Sequence, residues 1–385
     1  MSYQSSLVAE NPTTDKLQKF EGFDFLRAIF AIAIVAYKTK VFHIPEILIA
    51  NSWTYALSAY ILSGMFGALA VPVFLQISLF LFYYKSTNLG ISYFIKTRLP
   101  KLISLYAFWV GAITIFDILF VGKLEAIQRA TSSVKLFGEF IVSGNNTPYF
   151  FFFSLIFLTT LAAILNSFIS RREKRSTKLI INYSLLFLSS TLIFVFSSIE
   201  SISNYIGLQG TYIKVINNII HWDYNPLNFL PYIFTPIITT QEYQEGKLNK
   251  LNKWLKIKLT ILFCLSLIFF VLEWVLTSSH FLVQVDQSPL DHYMRLSLVF
   301  GSWLLLYLAI LSKYQAPRLI KFISKYSLGI YGFHVFFIFK GAFNFDTIFT
   351  SILLLQIIIN FLIILGLSVL LSWIFRRYKW SKTFI

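Results

Sequence analysis

Apolar runs long enough to cross a bilayer recur along the chain from residue 23 to residue 375. The hydrocarbon core is about 30 Å thick, and a helix of about 20 residues spans it. Hydrophobic residues form 57% of the 385 residues and charged residues only 13%, whereas soluble domains contain about 25% charged residues. The sequence therefore predicts an all-α, polytopic membrane protein with about ten transmembrane helices, at 23–42, 62–84, 102–122, 148–168, 179–198, 228–243, 257–278, 293–312, 320–341 and 348–375.

The basic residues lie in short clusters between these runs. If the N-terminus is cytoplasmic, 24 of the 33 lysines and arginines fall in cytoplasmic segments and 7 in external ones. Such an excess is typical of cytoplasmic loops. We therefore predict that both termini are cytoplasmic, with an N-terminal segment at 1–22, a transmembrane domain at 23–375 and a tail at 376–385.

The net charge of +16 has the same explanation. Clusters next to apolar runs are typical of orientation signals and contacts with anionic lipids. We expect membrane lipids as partners and no nucleic acid. The single cysteine, Cys264, excludes a disulfide within the chain, and no group of residues at ligand spacing predicts a metal site.

The sixth predicted span, 228–243, is the weakest, because it is short and contains Pro231 and Pro236. A broken span is tolerated where other helices or a cavity satisfy its backbone. Glu242 closes this span, and we expect its side chain to face the cytosol.

Two cations lie in the first span, within "FDFLRAIFAIAIVAYK" (23–38). At about 100° and 1.5 Å per residue, Arg27 and Lys38 share one helix face and lie roughly 16 Å apart along the axis. Cations within a span are costly and usually face a polar interior. The alternative is that both side chains reach to opposite headgroup layers.

The same stretch is the first of five that, in this order, resemble the acyltransferase-3 family of integral membrane acyltransferases. The other four are "LAVPVFLQISLFLFYYK" (69–85), "FIKTRLPKLISLYAF" (94–108), "NNTPYFFFFSLIFLTTLAAIL" (145–165) and "ISKYSLGIYGFHVFF" (323–337). The last is the most specific. The agreement covers nearly the whole chain, and the family also has about ten spans.

The resemblance implies an acyltransferase that transfers groups other than amino-acyl groups. The acyl group, acetyl by expectation, would pass from a cytoplasmic acyl-CoA co-substrate to a hydroxyl of a carbohydrate or lipid-linked glycan, as in polysaccharide O-acetylation. No permanently bound cofactor is expected. Arg27, Arg98 and Lys101 are the candidates for holding the donor phosphates, since Arg suits bidentate phosphate binding. The alternative for Arg98 is an orientation signal at the cytoplasmic start of a helix. The expected location is the plasma (inner) membrane of a bacterium.

One departure from the family concerns the chemistry. The family has a His, treated as catalytic, where this chain has Lys38. A neutral imidazole accepts a proton at pH 7, whereas Lys has an ordinary pKa of about 10.4. A Lys ammonium can instead hold an oxyanion. His334 lies in the ninth span at a family position, so the candidate catalytic residues are Lys38, Arg27 and His334. The alternative for His334 is a packed structural residue.

Glu273 and Trp274 lie near the outer half of the seventh span. A carboxylate beside an indole ring predicts a sugar-binding pair, and the alternative is an ion pair at the interface. Two other functions stay open for the whole chain. One is a non-catalytic relative that acts in polysaccharide export or scaffolding, favoured by Lys38. The other is a small-solute transporter, favoured by the broken sixth span.

Overall fold

The computed structural model describes residues 20–43, 60–121, 124–170, 174–206, 222, 224–277, 293–339 and 353–385. These residues form helices and connections, and no strand occurs among them. The predicted segment at 1–22 lies outside this part except for its last three residues. The helices are α1 (Glu21–Lys38), α2 (Ala70–Tyr93), α3 (Leu99–Phe116), α4 (Glu125–Thr131), α5 (Val134–Ser143), α6 (Phe150–Ser170), α7 (Arg175–Ile206), α8 (Pro231–Gln244), α9 (Lys253–Thr277), α10 (Leu296–Leu311), α11 (Arg318–Ile338) and α12 (Leu353–Phe375).

The helical stretch from α2 to α3 is divided at Gly90, and the part after Gly90 continues into α3 through a π-helical turn. A π-helical turn precedes α2 at Tyr60–Gly67, and another joins α2 to α3 at Phe94–Arg98. Within α2, Gly90 has a φ of 67°, which breaks the helix locally. A side chain at this position would be strained, because positive φ is easily reached only by glycine.

Six stretches of the described residues are long and apolar enough to cross a bilayer: Gly64–Thr87, Leu89–Phe120, Phe150–Ile169, Ser176–Ser198, Lys253–Glu273 and Leu353–Phe375. The prediction of an all-helical, multi-pass membrane protein is therefore confirmed. A helix also lies within each of the other four predicted spans, as α1, α8, α10 and α11. The count of ten crossings and the sides of the termini remain predictions.

Helix α8 lies in the interior of the bundle. All residues from 231 to 240 are buried, and α2 and α7 pack against this helix. Pro236, inside α8, removes one backbone donor, so the helix depends on its neighbours. In contrast, only 22% of the apolar window of α9 and 11% of that of α12 are buried, as expected of helices that face lipid.

Helix α1 packs most extensively against α11 and also contacts α10 and α2. Gly22 permits the contact with α10, because a Cβ there would lie 2.0 Å from the carbonyl oxygen of Ala309. Helices α1 and α11 run parallel, since Asp24 meets Ser324 near their N-terminal ends and Lys38 meets Phe339 at the other end.

The last residues of the chain fold back onto the bundle. Phe384 stacks on Phe108 of α3 with ring centroids 4.5 Å apart. Ser381 and Ile385 are buried, and Ile385 lies against Gly329 of α11. The tail at 376–385 is thus part of the packed structure at its end.

Candidate active site

Three polar residues share the face of α1 that meets α11. At about 100° per residue, Asp24, Arg27 and Lys38 fall within about 60° of one another around the helix. The Ser324 hydroxyl donates to Oδ1 of Asp24 at 2.7 Å, so this face turns towards α11. Arg27 is partly buried, and the Asp24 carboxylate acts on it electrostatically. An acid beside Arg27 therefore compensates part of its burial.

Lys38 and His334 lie at the same end of the α1–α11 pair. The Lys38 ammonium lies 5.0 Å from the ring centroid of Tyr37 and 5.3 Å from that of Phe339, just beyond the end of α11. Its charge is close enough to act electrostatically on His334. Aromatic faces attract cations at these distances. Two of the residues singled out from the sequence, on helices about 300 residues apart, thus lie at one end of the bundle.

The His334 ring is fully buried, and one of its nitrogens is held by the helix itself. Nδ1 lies 3.2 Å from the carbonyl oxygen of Ile330. A carbonyl oxygen can only accept, so Nδ1 carries the proton of this hydrogen bond. Nε2 has no hydrogen-bond partner among the described residues. In the neutral ring, Nε2 is then the nitrogen with a free lone pair.

Two tyrosines contact the segment of α11 that carries His334. The Tyr331 ring lies 5.6 Å from the imidazole, and its hydroxyl donates to the carbonyl oxygen of Pro148. The Tyr149 hydroxyl donates to the Gly332 carbonyl at 2.8 Å. These bonds fix the start of α6 against α11. No pattern in the sequence distinguishes these two tyrosines from the other aromatic residues of the apolar runs.

A second buried polar group lies between α2, α8 and α10. The Gln76 amide nitrogen donates to Ser302 at 3.3 Å, and the Thr235 hydroxyl donates to the Gln76 oxygen at 3.0 Å. All three side chains are buried. The described hydrogen bonds satisfy both ends of the amide, so this group specifies how the three helices pack.

Arg98 and Lys101 belong to a basic cluster at the other end of the bundle. Arg98 Nη2 donates to the Ser78 hydroxyl at 2.5 Å and to its carbonyl at 3.4 Å. Arg98 Nε is buried without a partner among the described residues. Lys101 is exposed, and the charges of Arg98 and Lys85 act on it. The three cations therefore form one positive region, as phosphate binding requires.

Arg27 lies at the same end of the bundle as this cluster. Phe80, two residues after Ser78, packs edge-on against Phe23 of α1 with centroids 5.6 Å apart. Arg27 is one turn further along α1 from Phe23.

Glu273 is part of a buried ion pair. Its Oε2 accepts from Arg295 Nε at 3.0 Å and from the Ser297 hydroxyl at 2.5 Å, and its Oε1 accepts from the Ser297 backbone N–H at 2.9 Å. Arg295 also donates to the Gly64 carbonyl. These contacts join α9, the start of α10 and the turn before α2, and indicate a structural role. The Trp274 side chain lies outside the described residues, so sugar binding by this pair stays a prediction.

Glu242 is buried, so the expectation that its side chain faces the cytosol is wrong. Its oxygens accept from Lys258 and from the Tyr307 hydroxyl, each at 2.5 Å. The Lys258 ammonium also lies 4.9–5.5 Å from four aromatic ring centroids, those of Tyr183, Trp254, Trp303 and Tyr307. The Tyr183 hydroxyl also donates to Glu242, at 3.3 Å. The acid is retained in the interior because a cation on α9 and these two hydroxyl groups replace its water. The sequence offered no signal for this pairing across helices.

An all-helical bundle with several apolar crossings and a buried, ionisable interior defines a multi-pass membrane protein with a polar internal site. A family model described as "Acyltransferase domain", that of acyltransferase family 3, matches residues 20–377. The chain therefore belongs to this family and is a membrane acyltransferase. No curated protein and no solved structure matched the chain in the corresponding comparisons.

Proposed function

We propose that the protein transfers an acetyl group from acetyl-CoA to a hydroxyl of a carbohydrate or lipid-linked glycan, at a site formed by Lys38 and His334. One observation carries the proposal. The Nδ1–H of His334 is engaged by Ile330, while Nε2 is buried and lacks a partner among the described residues. A neutral imidazole oriented in this way is suited to accept a proton from a hydroxyl.

The reaction needs one base and one stabilising charge. Nε2 of His334 takes the proton of the acceptor hydroxyl as that oxygen forms a bond to the thioester carbonyl carbon. The carbon–sulfur bond then breaks, and the sulfur leaves with the proton returned from Nε2. The products are an acetyl ester and the free thiol of coenzyme A.

Lys38 supplies the charge in this proposal. Its ammonium lies at the same end of the bundle as His334 and stabilises the negative oxygen of the tetrahedral intermediate. Lys38, which stands where the family has His, thus has an electrostatic role in this proposal. The proton is transferred by His334 on α11.

The donor is proposed to bind from the end of the bundle that carries Arg98 and Lys101. The positive region around Arg98 supports this placement, and Arg98 Nε has no hydrogen-bond partner among the described residues. Arg27 would hold the donor further in. The thioester then reaches along α1 towards Lys38, roughly 16 Å from Arg27 along the helix axis.

A second candidate is a non-catalytic relative that acts in polysaccharide export or scaffolding. The observation that favours it is the packing of the Lys38 ammonium against the rings of Tyr37 and Phe339. A Lys used only to pack and stabilise these rings would leave the site without the charge that catalysis needs.

Labelled acetyl-CoA distinguishes the two functions. Purified wild-type protein in nanodiscs is expected to release the thiol and to label a glycan acceptor from a panel of lipid-linked and free glycans. A well-expressed Arg27→Ala, Lys38→Ala double variant is expected to do neither. Equal turnover by both proteins would refute the assigned site, and no donor binding or turnover by the wild type would favour the non-catalytic function.

A further inference from the structure

A cleft of about 780 Å³ opens at the end of the bundle where α1 begins and α10 ends. The connection between α8 and α9 forms another side of the cleft, and α9 completes it. This is the end that carries the cation-rich α8–α9 connection and the start of α11. The excess of basic residues at this end predicts that it is cytoplasmic.

One wall of the cleft is apolar and continues onto the outer surface of the bundle. Leu251, Leu259 and Leu308 belong to this wall. Leu251 is 56% exposed and Leu308 is 47% exposed. Leu251 lies in the connection before α9 and Leu308 on α10, and apolar side chains this exposed offer a surface along which an acyl chain can pack.

The rim of the cleft is cationic. Lys250 and Lys313 line it, and both are exposed. The cleft contains one acid, Glu21, whose carboxylate lies 3.5 Å from the Lys321 ammonium on α11. The two rim lysines therefore leave the cleft with a net positive charge.

We propose that this cleft binds an anionic phospholipid from the surrounding bilayer. The phosphodiester lies between Lys250 and Lys313, and one acyl chain follows Leu259 and Leu308 out of the cleft. Basic pockets between transmembrane helices on the cytoplasmic side bind anionic headgroups by this combination of contacts. The lipid then joins α1, α9 and α10, and stabilises the helix that carries Arg27 and Lys38.

The site is separate from the one proposed for the donor. Phe20, at the inner end of the cleft, packs against Phe80 and Tyr84 of α2. Arg98 contacts Ser78 of α2 and does not line the cleft. The phosphates of acetyl-CoA have the same chemistry as a phosphodiester, so the experiment must separate the two sources.

Native mass spectrometry of the detergent-purified full chain measures lipid binding directly. The probes are phosphatidylglycerol and, as the uncharged-headgroup comparison, phosphatidylcholine. We expect wild-type protein to prefer phosphatidylglycerol. The double variant Lys250→Ala, Lys313→Ala should bind phosphatidylglycerol about tenfold or more weakly, since each lysine near an anionic lipid contributes substantially to the binding free energy. Lys253→Ala with Lys256→Ala, two exposed lysines outside the cleft lining, should leave it within about twofold.

A second pair of variants tests the acyl wall. Leu308→Trp fills the cleft and should weaken phosphatidylglycerol binding, whereas Leu267→Trp, which replaces a leucine 43% exposed on α9, should not. Equal losses from both lysine pairs, no preference over phosphatidylcholine, or no effect of Leu308→Trp would overturn the proposal. Displacement of the lipid by acetyl-CoA, with donor binding lost in the Lys250→Ala, Lys313→Ala variant, would assign the cleft to the donor instead.

Discussion

Nδ1 of His334 lies 3.2 Å from the carbonyl oxygen of Ile330, four residues earlier in the same helix. One nitrogen of the imidazole is therefore held by the backbone of α11 itself. Under the proposed mechanism, His334 would supply the proton acceptor in a chain that has Lys38 where the family has His. In the proposed mechanism, proton transfer by His334 and stabilisation of the negative oxygen by Lys38 are thus carried out by two separate residues.

The first prediction concerns Lys38. Replacement of Lys38 by Ala removes the charge that stabilises the tetrahedral oxygen, and kcat for acetyl transfer should fall by about 10²-fold. Lys38→His should preserve or raise activity, because an imidazole there can accept a proton or donate to the oxyanion. Steady-state release of the coenzyme A thiol measures both.

The matched control is Lys40→Asn. Lys40 is exposed two residues further on, with a φ of 63° that Asn tolerates well. This variant should keep wild-type activity. Wild-type kcat in Lys38→Ala would remove Lys38 from the mechanism.

The second prediction concerns the donor end. Arg98→Ala should raise KM for acetyl-CoA by about tenfold or more, since a charge-assisted bond to phosphate is lost, with kcat changed less than about threefold. Lys96→Ala removes a neighbouring exposed cation and should change KM little. An unchanged KM in Arg98→Ala, or an equal rise in both variants, would contradict a specific phosphate contact.

The third prediction separates structure from sugar binding at Glu273. Arg295→Met leaves the Glu273 carboxylate buried without its cation, which costs about 3–5 kcal/mol in comparable pairs. The double variant Arg295→Met, Glu273→Gln should recover part of the stability that Arg295→Met loses, as measured by thermal unfolding in detergent. If Glu273 instead binds the acceptor, Glu273→Gln should raise KM for the acceptor while the unfolding temperature stays unchanged.

The fourth prediction tests the packing of α1. Gly22→Ala should destabilise the protein by about 1–3 kcal/mol, because the added Cβ would meet the Ala309 backbone. Gly111→Ala is the matched control: nothing lies within 4 Å of its Cβ position, and Ala favours a helix over Gly. The unfolding temperature should therefore be lower for Gly22→Ala than for Gly111→Ala. Equal unfolding temperatures would mean that α1 and α10 are less closely packed.

The apolar runs predicted the helices well, because bilayer thickness fixes the length of a crossing helix independently of its neighbours. The shared face of Arg27 and Lys38 followed from helix geometry alone. The expectation that other helices cover the proline-containing sixth span agrees with the burial of α8.

Pairings between helices were harder to predict. Glu242 meets Lys258, and Glu273 meets Arg295, across separate helices. The periodicity of polar residues indicates which face of a helix is polar, but it does not indicate which helix packs against that face. For the same reason, the sequence identified Lys38 and His334 separately, and their proximity emerged only from the packing of α1 on α11.

The central claim is that His334 acts as the base, and His334→Asn tests it most directly. The Asn amide can take the place of Nδ1–H towards Ile330 but offers no basic nitrogen. In a single-turnover assay with labelled acetyl-CoA and saturating acceptor, the account predicts that transfer slows by about 10²–10⁴-fold while donor affinity and unfolding temperature stay near those of wild type. Transfer within about threefold of the wild-type rate would contradict it.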